Sequence, residues 1–400
     1  MKTFLVFFFF GLVFSDPQVY WLSKFNNGNT PTTLQVETGG NLYLASNDAA
    51  SQLQKIKITN GANTIQLDQL QNGNGIRLLS DRLTIQADND DASAAALSGF
   101  LYATTAQQAN DNTFYVTVVN GAQTLSRTDV VNSTTVVLNT EFKSNFPPFD
   151  APTRTTAVKE IQQFGTTELN FHHEIPGANY RNYVENNFFE NPLYYQSYDD
   201  NLNTVITRVF YDSVEPMQVN LPYWYITANG PYNMKLSSTF DGSQTHNTTS
   251  ANATGVFVFT DVWLSHTVNF VTDISRKGVS GCLITTDLEY QVDVVFHGYE
   301  STFRQSYSGG NRLTHGQVSS NMVSKSLDIT PTAIYPGTLF CQYFVFTGDL
   351  LPTTTSVATT TTPPTSPPTT IRTTTPDSAA CHELMISILV VLLSFFQLSM

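Results

Sequence analysis

The sequence of 400 residues predicts an all-β protein. Short runs in which apolar and polar residues alternate recur along the chain, and this period-two pattern is typical of half-buried strands. Asn-Gly pairs at positions 60–61, 72–73 and 120–121 separate runs, as tight turns do. Only 13% of residues are charged, while Asn, Thr, Tyr and Phe are plentiful, which favours twisted sheets over helices.

The predicted strands form two groups. In residues 17–139 the alternating runs lie at 55–59, 83–88, 114–119 and 134–138, and in residues 155–350 aromatic-rich runs lie at 255–260, 282–285, 290–296 and 339–346. A Pro-containing linker, residues 140–154, separates the two groups. One short helix is expected at 157–164, where Val158, Ile161 and Phe164 share a helical face. The second group is either one large sandwich or a second copy of the first fold.

The two ends of the chain carry export and attachment signals. Residues 1–15 have one Lys and a short apolar run, as secretory signal peptides do. Residues 351–378 are rich in Thr and Pro without an aromatic side chain, which is typical of a mucin-like stalk. Small residues, a short polar spacer and a terminal apolar run then predict a glycolipid (GPI) anchor at Ser378 or Asp377, with residues 379–400 removed. A membrane-spanning tail is the alternative.

An exported chain makes two modifications available. Asn132, Asn247 and Asn252 each begin an Asn-X-Ser/Thr sequon and are predicted N-glycosylation sites. Of the three cysteines, Cys381 lies in the predicted removed segment. Cys282 and Cys341 remain and are expected to form a disulfide in an oxidising compartment.

The first group of strands resembles the CUB-like domain family of secreted and GPI-anchored nematode proteins. The resemblance lies in the order of short motifs at 19–21, 55–61, 65–67, 76–79, 82–88 and 98–102, the last beginning Ser-Gly-Phe. It implies a jelly-roll-like sandwich and a role in innate defence or stress response. The chain departs from calcium-binding CUB domains, because Gln52, Leu53 and Gln54 stand where an acidic residue is needed. Asp88, Asp90 and Asp91 are then read as a solvated turn.

No catalytic or metal-binding constellation is predicted. His172 and His173 are adjacent, so on a strand they would point to opposite faces and could not bind one ion. The carboxylates Asp199, Asp200, Asp293 and Glu300 form no recognisable motif. The chain has a formal charge of −13 and lacks the clusters of Lys and Arg that bind nucleic acids. No cofactor is expected.

The aromatic strings 188–189, 194–195 and 223–225 are either sandwich core or a platform for stacking sugars.

Three functions remain open at this point. The protein is expected on the extracellular face of the plasma membrane, as a non-enzymatic module that binds a protein or glycan. The alternatives are a glycosylated coat protein of an epithelial surface and an anchored hydrolase that acts on glycans.

Overall fold

A computed structural model describes residues 16–26, 28–88, 92–140, 156–177, 187–198, 201, 203–238, 243–260, 265–271, 278–286, 291–308, 314–320, 324–331 and 338–347. The signal peptide, stalk, anchor segment and most of the linker predicted above lie outside these residues. Within them the chain is built mainly of strands, which confirms the all-β prediction.

The first eleven strands are β1 (Gln18–Trp21), β2 (Thr32–Gln35), β3 (Asn41–Ala45), β4 (Ile56–Asn60), β5 (Asn63–Gln66), β6 (Ile76–Arg77), β7 (Arg82–Ala87), β8 (Phe100–Ala103), β9 (Phe114–Val119), β10 (Gln123–Arg127) and β11 (Ser133–Asn139). Two short α-helices, Ala50–Leu53 and Ala106–Asn110, and three 3-10 helices, Leu22–Lys24, Leu67–Gly73 and Ala94–Ala96, connect them. All four runs predicted in this part of the chain contain strands.

The remaining strands are β12 (Thr156–Gln163), β13 (Leu169–His173), β14 (Asn187–Asn191), β15 (Leu193–Tyr198), β16 (Thr204–Val209), β17 (Ser213–Val214), β18 (Met217–Val219), β19 (Tyr223–Ala228), β20 (Tyr232–Ser237), β21 (Thr245–Asn247), β22 (Ala253–Thr260), β23 (His266–Asn269), β24 (Gly278–Thr286), β25 (Gln291–Gly298), β26 (Thr302–Ser308), β27 (Thr314–Ser320), β28 (Ser324–Pro331) and β29 (Thr338–Thr347). The aromatic-rich runs 255–260, 282–285 and 339–346 lie in β22, β24 and β29, and residues 291–296 of the fourth run lie in β25.

The described strands pair into five stacked sheets and one hairpin, β15–β16. In stacking order, sheet 1 is β2-β7-β4-β5, sheet 2 is β1-β8-β3-β6, sheet 3 is β14-β13-β19-β11-β9, sheet 4 is β10-β20-β12-β18-β22-β29-β24-β27 with β17 beside β22, and sheet 5 is β21-β23-β28-β25-β26. Strands β9, β10 and β11 come from the predicted first group but pair with strands of the second group or with each other. The division of the chain at the linker stays a prediction.

A separate apolar core lies between each pair of neighbouring sheets. Sheets 1 and 2 bury Ile58 against Leu44, and sheets 2 and 3 bury Phe100 against Val136. Sheets 3 and 4 enclose Trp224, which is fully buried with Phe171 and Phe188 around its ring. Further cores hold sheet 5 and the hairpin against sheet 4. Burying each large apolar side chain contributes roughly 1.5–3 kcal/mol, so the cores hold the stack together.

The predicted helix at 157–164 is wrong, because residues 157–163 lie in strand β12. Val158 is buried and Ile161 packs against the same core, although residues an odd number apart normally face opposite sides of a strand. A β-bulge between Lys159 and Gln162, with Glu160 at φ 52°, shifts the alternation by one residue. The bulge thus produces the three-residue spacing of a helix within a strand.

The two cysteines outside the anchor segment lie on neighbouring strands of sheet 4. Cys282 in β24 pairs with Tyr343 of β29, and Cys341 pairs with Ile284, so the two cysteines are diagonal neighbours. Cα atoms in diagonal positions lie ~7–8 Å apart, whereas disulfides usually span ~4.4–6.8 Å. The Cys282–Cys341 disulfide stays a prediction.

Two buried histidines make the stability of the fold depend on pH. His173 stacks on Phe340 with ring centroids 4.9 Å apart, and burial lowers its pKa to about 4. His266 packs against Phe257 and His246, and burial together with His246 lowers its pKa to about 3. Both rings are therefore neutral in the folded protein at neutral pH, and protonating either ring lowers the free energy of unfolding.

Glycine at position 99 is required by backbone geometry. Gly99 has φ +96°, and a Cβ there would lie 1.9 Å from the carbonyl oxygen of Ala45. We expect Gly99→Ala to lower the free energy of unfolding by about 2–5 kcal/mol, combining left-handed strain with a forced backbone shift. Gly121→Ala is the matched control, since Gly121 has φ +81° with open space around it, and it should cost only the strain, about 1–2 kcal/mol. Urea denaturation measures both, and equal losses would contradict the steric argument.

Acid should destabilise the protein through the buried histidines. In the unfolded chain histidine binds its proton near pH 6.5, so the stability contribution of neutral His173 is complete above that pH. It is lost as pH falls towards 4, by about 2–3 kcal/mol at pH 4.5. His173→Phe keeps the stack on Phe340 and should reduce the difference in urea midpoint between pH 7 and 4.5. Equal differences for His173→Phe and the wild type would contradict this role of His173.

Candidate functional site

A polar groove opens on one face of sheet 3. Alternation along its strands directs Phe171, Trp224 and Ile226 into the core, so the intervening residues point to the opposite face. Part of this opposite face is covered by sheet 2 through Val136, Leu138 and Tyr225. The uncovered part is a cavity of about 560 Å³, a size within the ~300–1,000 Å³ of small-molecule sites.

The floor of the groove is a row of polar residues across four strands. Thr134 of β11 lies beside Thr227 of β19, Thr227 beside Asn170 of β13, and Asn170 beside Glu190 of β14. All four side chains line the cavity. Within the part of the chain that the structure describes, the side chains of Thr134 and Asn170 make no hydrogen bond. Their donors and acceptors are available to a ligand.

Glu190 is held in place by neutral donors. Its Oε2 accepts a hydrogen bond from the amide of Asn187 at 3.2 Å, and its Oε1 accepts one from the backbone N–H of Tyr194 at 3.1 Å. The buried amide of Gln342 binds the backbone of Glu190 twice: its Oε1 accepts from the N–H at 3.0 Å, and its Nε2 donates to the C=O at 2.8 Å. The carboxylate therefore keeps one orientation at the end of the floor.

Glu168 and Tyr194 form one wall. Glu168 Oε1 accepts hydrogen bonds from Arg208 Nη2 at 3.0 Å and from the Tyr194 hydroxyl at 3.2 Å. Arg208 lies opposite Tyr194 in the β15–β16 hairpin, so the hairpin supplies both donors. The Tyr194 side chain is 46% exposed, which leaves an aromatic surface beside the two carboxylates.

His172 also lines the groove; its ring stacks on Tyr225 with centroids 4.5 Å apart, and its Nε2 lies 2.9 Å from Thr227 Oγ1. The adjacent His173 points into the core, so the two rings lie on opposite faces of β13. Among the described residues, no three His, Cys, Asp or Glu side chains come together as a metal site.

Most of the candidate site residues singled out from the sequence do not line this groove. Phe188, Phe189, Tyr195 and Trp224 are buried, and of the aromatic strings only Tyr194 lines the groove. Asp293 lies on sheet 5, where hydrogen bonds from Ser306, Gln291 and Arg304 lower its pKa. Asp88 pairs with Lys57, while Asp90, Asp91, Asp199 and Asp200 lie outside the described residues.

The sequons occupy three different positions. Asn132 is exposed, lies directly before β11 and lines the groove. Asn247 is exposed in β21, where its Oδ1 accepts a hydrogen bond from Asn269 at 2.9 Å. Asn252 is half-buried just before β22. Glycosylation at the three sites stays a prediction, and Ser378 and Asp377 lie outside the described residues.

The carboxylates of the groove, Glu168 and Glu190, were missed by sequence reasoning. Polar residues at alternate positions of strand-like segments, such as Asn170 and His172, are the one local signal of a polar sheet face. Their convergence depends on pairing between β11, β13, β14 and β19, which local patterns do not specify.

No helix within the described part of the chain is long and apolar enough to cross a membrane. No curated protein matches the sequence. The solved structures that match include two from a virus. "Crystal structure of infectious bursal disease virus VP2 subviral particle" is 10% identical, with 83% of this chain and 77% of that chain covered and a TM-score of 0.11. "The 2.6A structure of Infectious Bursal Virus Derived T=1 Particles" is 11% identical, with 84% and 76% covered and a TM-score of 0.07. Such low TM-scores carry no structural argument.

A family match overturns the CUB-like resemblance. The profile of the family described as "Glycoprotein: Transmembrane glycoprotein" matches residues 37–393, which include most of the segment that resembled a CUB-like domain. Short strands ended by Asn-Gly turns are common to many β-sandwiches, so their order was not specific. The CUB-like assignment is therefore wrong, and the role in innate defence, which was expected from it alone, has no support. The chain belongs to the transmembrane glycoprotein family.

Proposed function

We propose that this glycoprotein is displayed at the outer surface of the cell and binds a neutral carbohydrate in the groove of sheet 3. The observation that carries the proposal is the row Thr134, Thr227, Asn170 and Glu190, which presents hydroxyl, amide and carboxylate groups in one line. Sugars present hydroxyl groups in a similar close array. A carboxylate can accept hydrogen bonds from two of them, and an amide both donates and accepts.

Charge narrows the class of ligand. Glu168 is paired with Arg208, whereas the partners of Glu190 named above are neutral amide and backbone donors. An additional anion, such as a sialylated or sulfated sugar, would lie beside this carboxylate and be repelled. A neutral sugar avoids that cost and can stack on the exposed ring of Tyr194.

We infer binding rather than hydrolysis. Both carboxylates of the groove accept hydrogen bonds that hold them in fixed orientations, which suits recognition of hydroxyl groups. Hydrolysis of a glycosidic bond would require one carboxyl group to act as a proton donor. In this groove Oε1 of Glu168 is instead paired with Arg208 Nη2 at 3.0 Å.

A passive coat protein is the second candidate. The exposed sequons Asn132 and Asn247 and the family description favour it, since glycans on separate sheets would cover much of the surface. This function does not depend on the groove, so substitutions on the groove floor separate the two candidates.

Attachment to the membrane is part of the proposal. Ser378 or Asp377 would carry a glycolipid anchor, and the Thr/Pro-rich stalk at 351–378 would hold the sheets away from the bilayer. A spanning apolar tail is the alternative, in keeping with the name of the family, whose match extends to residue 393.

Substitutions in the groove should weaken sugar binding without unfolding the protein. We expect Glu190→Gln and Asn170→Ala to reduce the affinity for a neutral oligosaccharide about tenfold or more, because a hydrogen bond to a charged group contributes ~1.5–3 kcal/mol. The ligand is first identified by screening detergent-solubilised full-length protein against neutral and anionic oligosaccharides, and affinities are then measured by calorimetry.

Glu160→Gln is the matched control for this experiment, since it makes the same chemical change at an exposed ion pair with Lys235, remote from the groove. It should bind as the wild type does. Failure of every neutral sugar to bind, or equal affinity of Glu190→Gln and wild type, would contradict the proposal and leave the coat function.

Phosphatidylinositol-specific phospholipase C should release the protein from intact expressing cells, since it cleaves the proposed lipid anchor. Immunoblotting of medium and cells measures the release, with a known GPI-anchored protein as the digestion control. A variant with Ser378→Pro and Asp377→Pro should not reach the surface in releasable form. Retention of the wild type after complete digestion of the control would favour the spanning tail.

A further inference from the structure

We propose that an N-linked glycan on Asn132 folds into the groove of sheet 3 and occupies it, so that glycosylation at this residue controls access of external sugars. The inference rests on the proposed function, because it assigns a resident ligand to the same groove. It goes further by naming a modification of this chain as the regulator.

The attachment point lies within the groove itself. Asn132 lines the cavity together with Thr134, Asn170 and Glu190, and it is solvent-exposed. Its φ of 57° is a left-handed conformation that asparagine tolerates, and it ends the loop directly before β11. A glycan on its side-chain nitrogen therefore begins beside the floor and does not have to reach it from elsewhere.

The sequon and the groove floor share a residue. Asn132, Ser133 and Thr134 form the sequon, and Thr134 is the first member of the polar row. The other two sequons do not line the groove: Asn247 lies in β21 of sheet 5, and Asn252 lies just before β22 of sheet 4. They provide internal controls in the same molecule.

The chemistry of the glycan matches that of the groove. N-linked glycans begin with neutral N-acetylglucosamine residues, whose hydroxyl and acetamido groups suit Thr227, Asn170 and Glu190. The exposed ring of Tyr194 lines the same cavity, so a glycan that extends along the floor can stack on it. Groups bearing negative charge, if present, lie at the far end of a glycan and stay outside.

A tethered ligand has an advantage over a free one. A short covalent link gives an effective concentration in the millimolar range, so a weakly bound sugar on Asn132 would fill the groove most of the time. External sugars must displace it, which lowers their apparent affinity. Molecules that lack the Asn132 glycan would have an open groove.

Protection of the glycan tests the inference without any external sugar. Folded full-length protein is treated with peptide N-glycosidase, and the occupancy of each sequon is followed by peptide mass spectrometry. We expect release from Asn132 to be at least tenfold slower than from Asn247, and equal rates after denaturation. Asn170→Ala should speed release from Asn132, whereas Glu160→Gln should not. Equal native rates at Asn132 and Asn247, or an unmodified Asn132, would overturn the inference.

Binding of a free neutral oligosaccharide provides the second measurement. Asn132→Gln should bind it at least tenfold more tightly than the wild type, while Asn247→Gln should not change the affinity. Measurable binding with the same affinity for Asn132→Gln and wild type would overturn the inference. Protection of the Asn132 glycan combined with no binding by Asn132→Gln would support the resident glycan and refute only the proposed binding of external sugars.

Discussion

The buried side chain of Gln342 determines where the candidate site lies. It is fully buried in β29 of sheet 4, and its amide binds both the N–H and the C=O of Glu190 in β14 of sheet 3. Its nitrogen also donates to Thr254 Oγ1 at 3.0 Å, so the side chain is held by both sheets. A buried amide with these partners specifies one alignment of the two sheets, because sliding either sheet would leave polar groups unpaired. The orientation of Glu190 in the groove follows from this alignment.

Sheet 3 shows how a core and a binding surface arise from the same strands. Odd and even positions of β13 separate Leu169 and Phe171, which enter the core, from Asn170 and His172, which do not. In β11 the outer face changes along its length, from Thr134 at the open end to Val136 and Leu138 under sheet 2. The groove exists because sheet 2 covers the apolar part of this face and leaves the polar part open. The edge of the groove therefore lies where the side chains on this face change from polar to apolar.

Local patterns predicted the strands but not their partners. Residues 114–119 and 134–138 are rich in β-branched and aromatic side chains and lie in strands β9 and β11, yet nothing in these two segments predicts that the strands pair in parallel. The polar row combines residues 134, 170, 190 and 227, which no motif joins. In β12 the bulge at Glu160 imitated helical spacing, so that local reading failed where the backbone departs from regular geometry. The order of short motifs in residues 19–102 was shared by too many sandwiches to identify a family.

Thr134 links the modification of the chain to the shape of its groove. The same hydroxyl-bearing position completes the sequon of Asn132 and begins the polar row. Only threonine or serine satisfies the sequon at this position, and both place a hydroxyl group on the floor. Loss of the floor hydroxyl therefore removes the glycan that would occupy the groove, and retention of the sequon keeps a floor that can bind it. The two features change together because a single side chain supplies both.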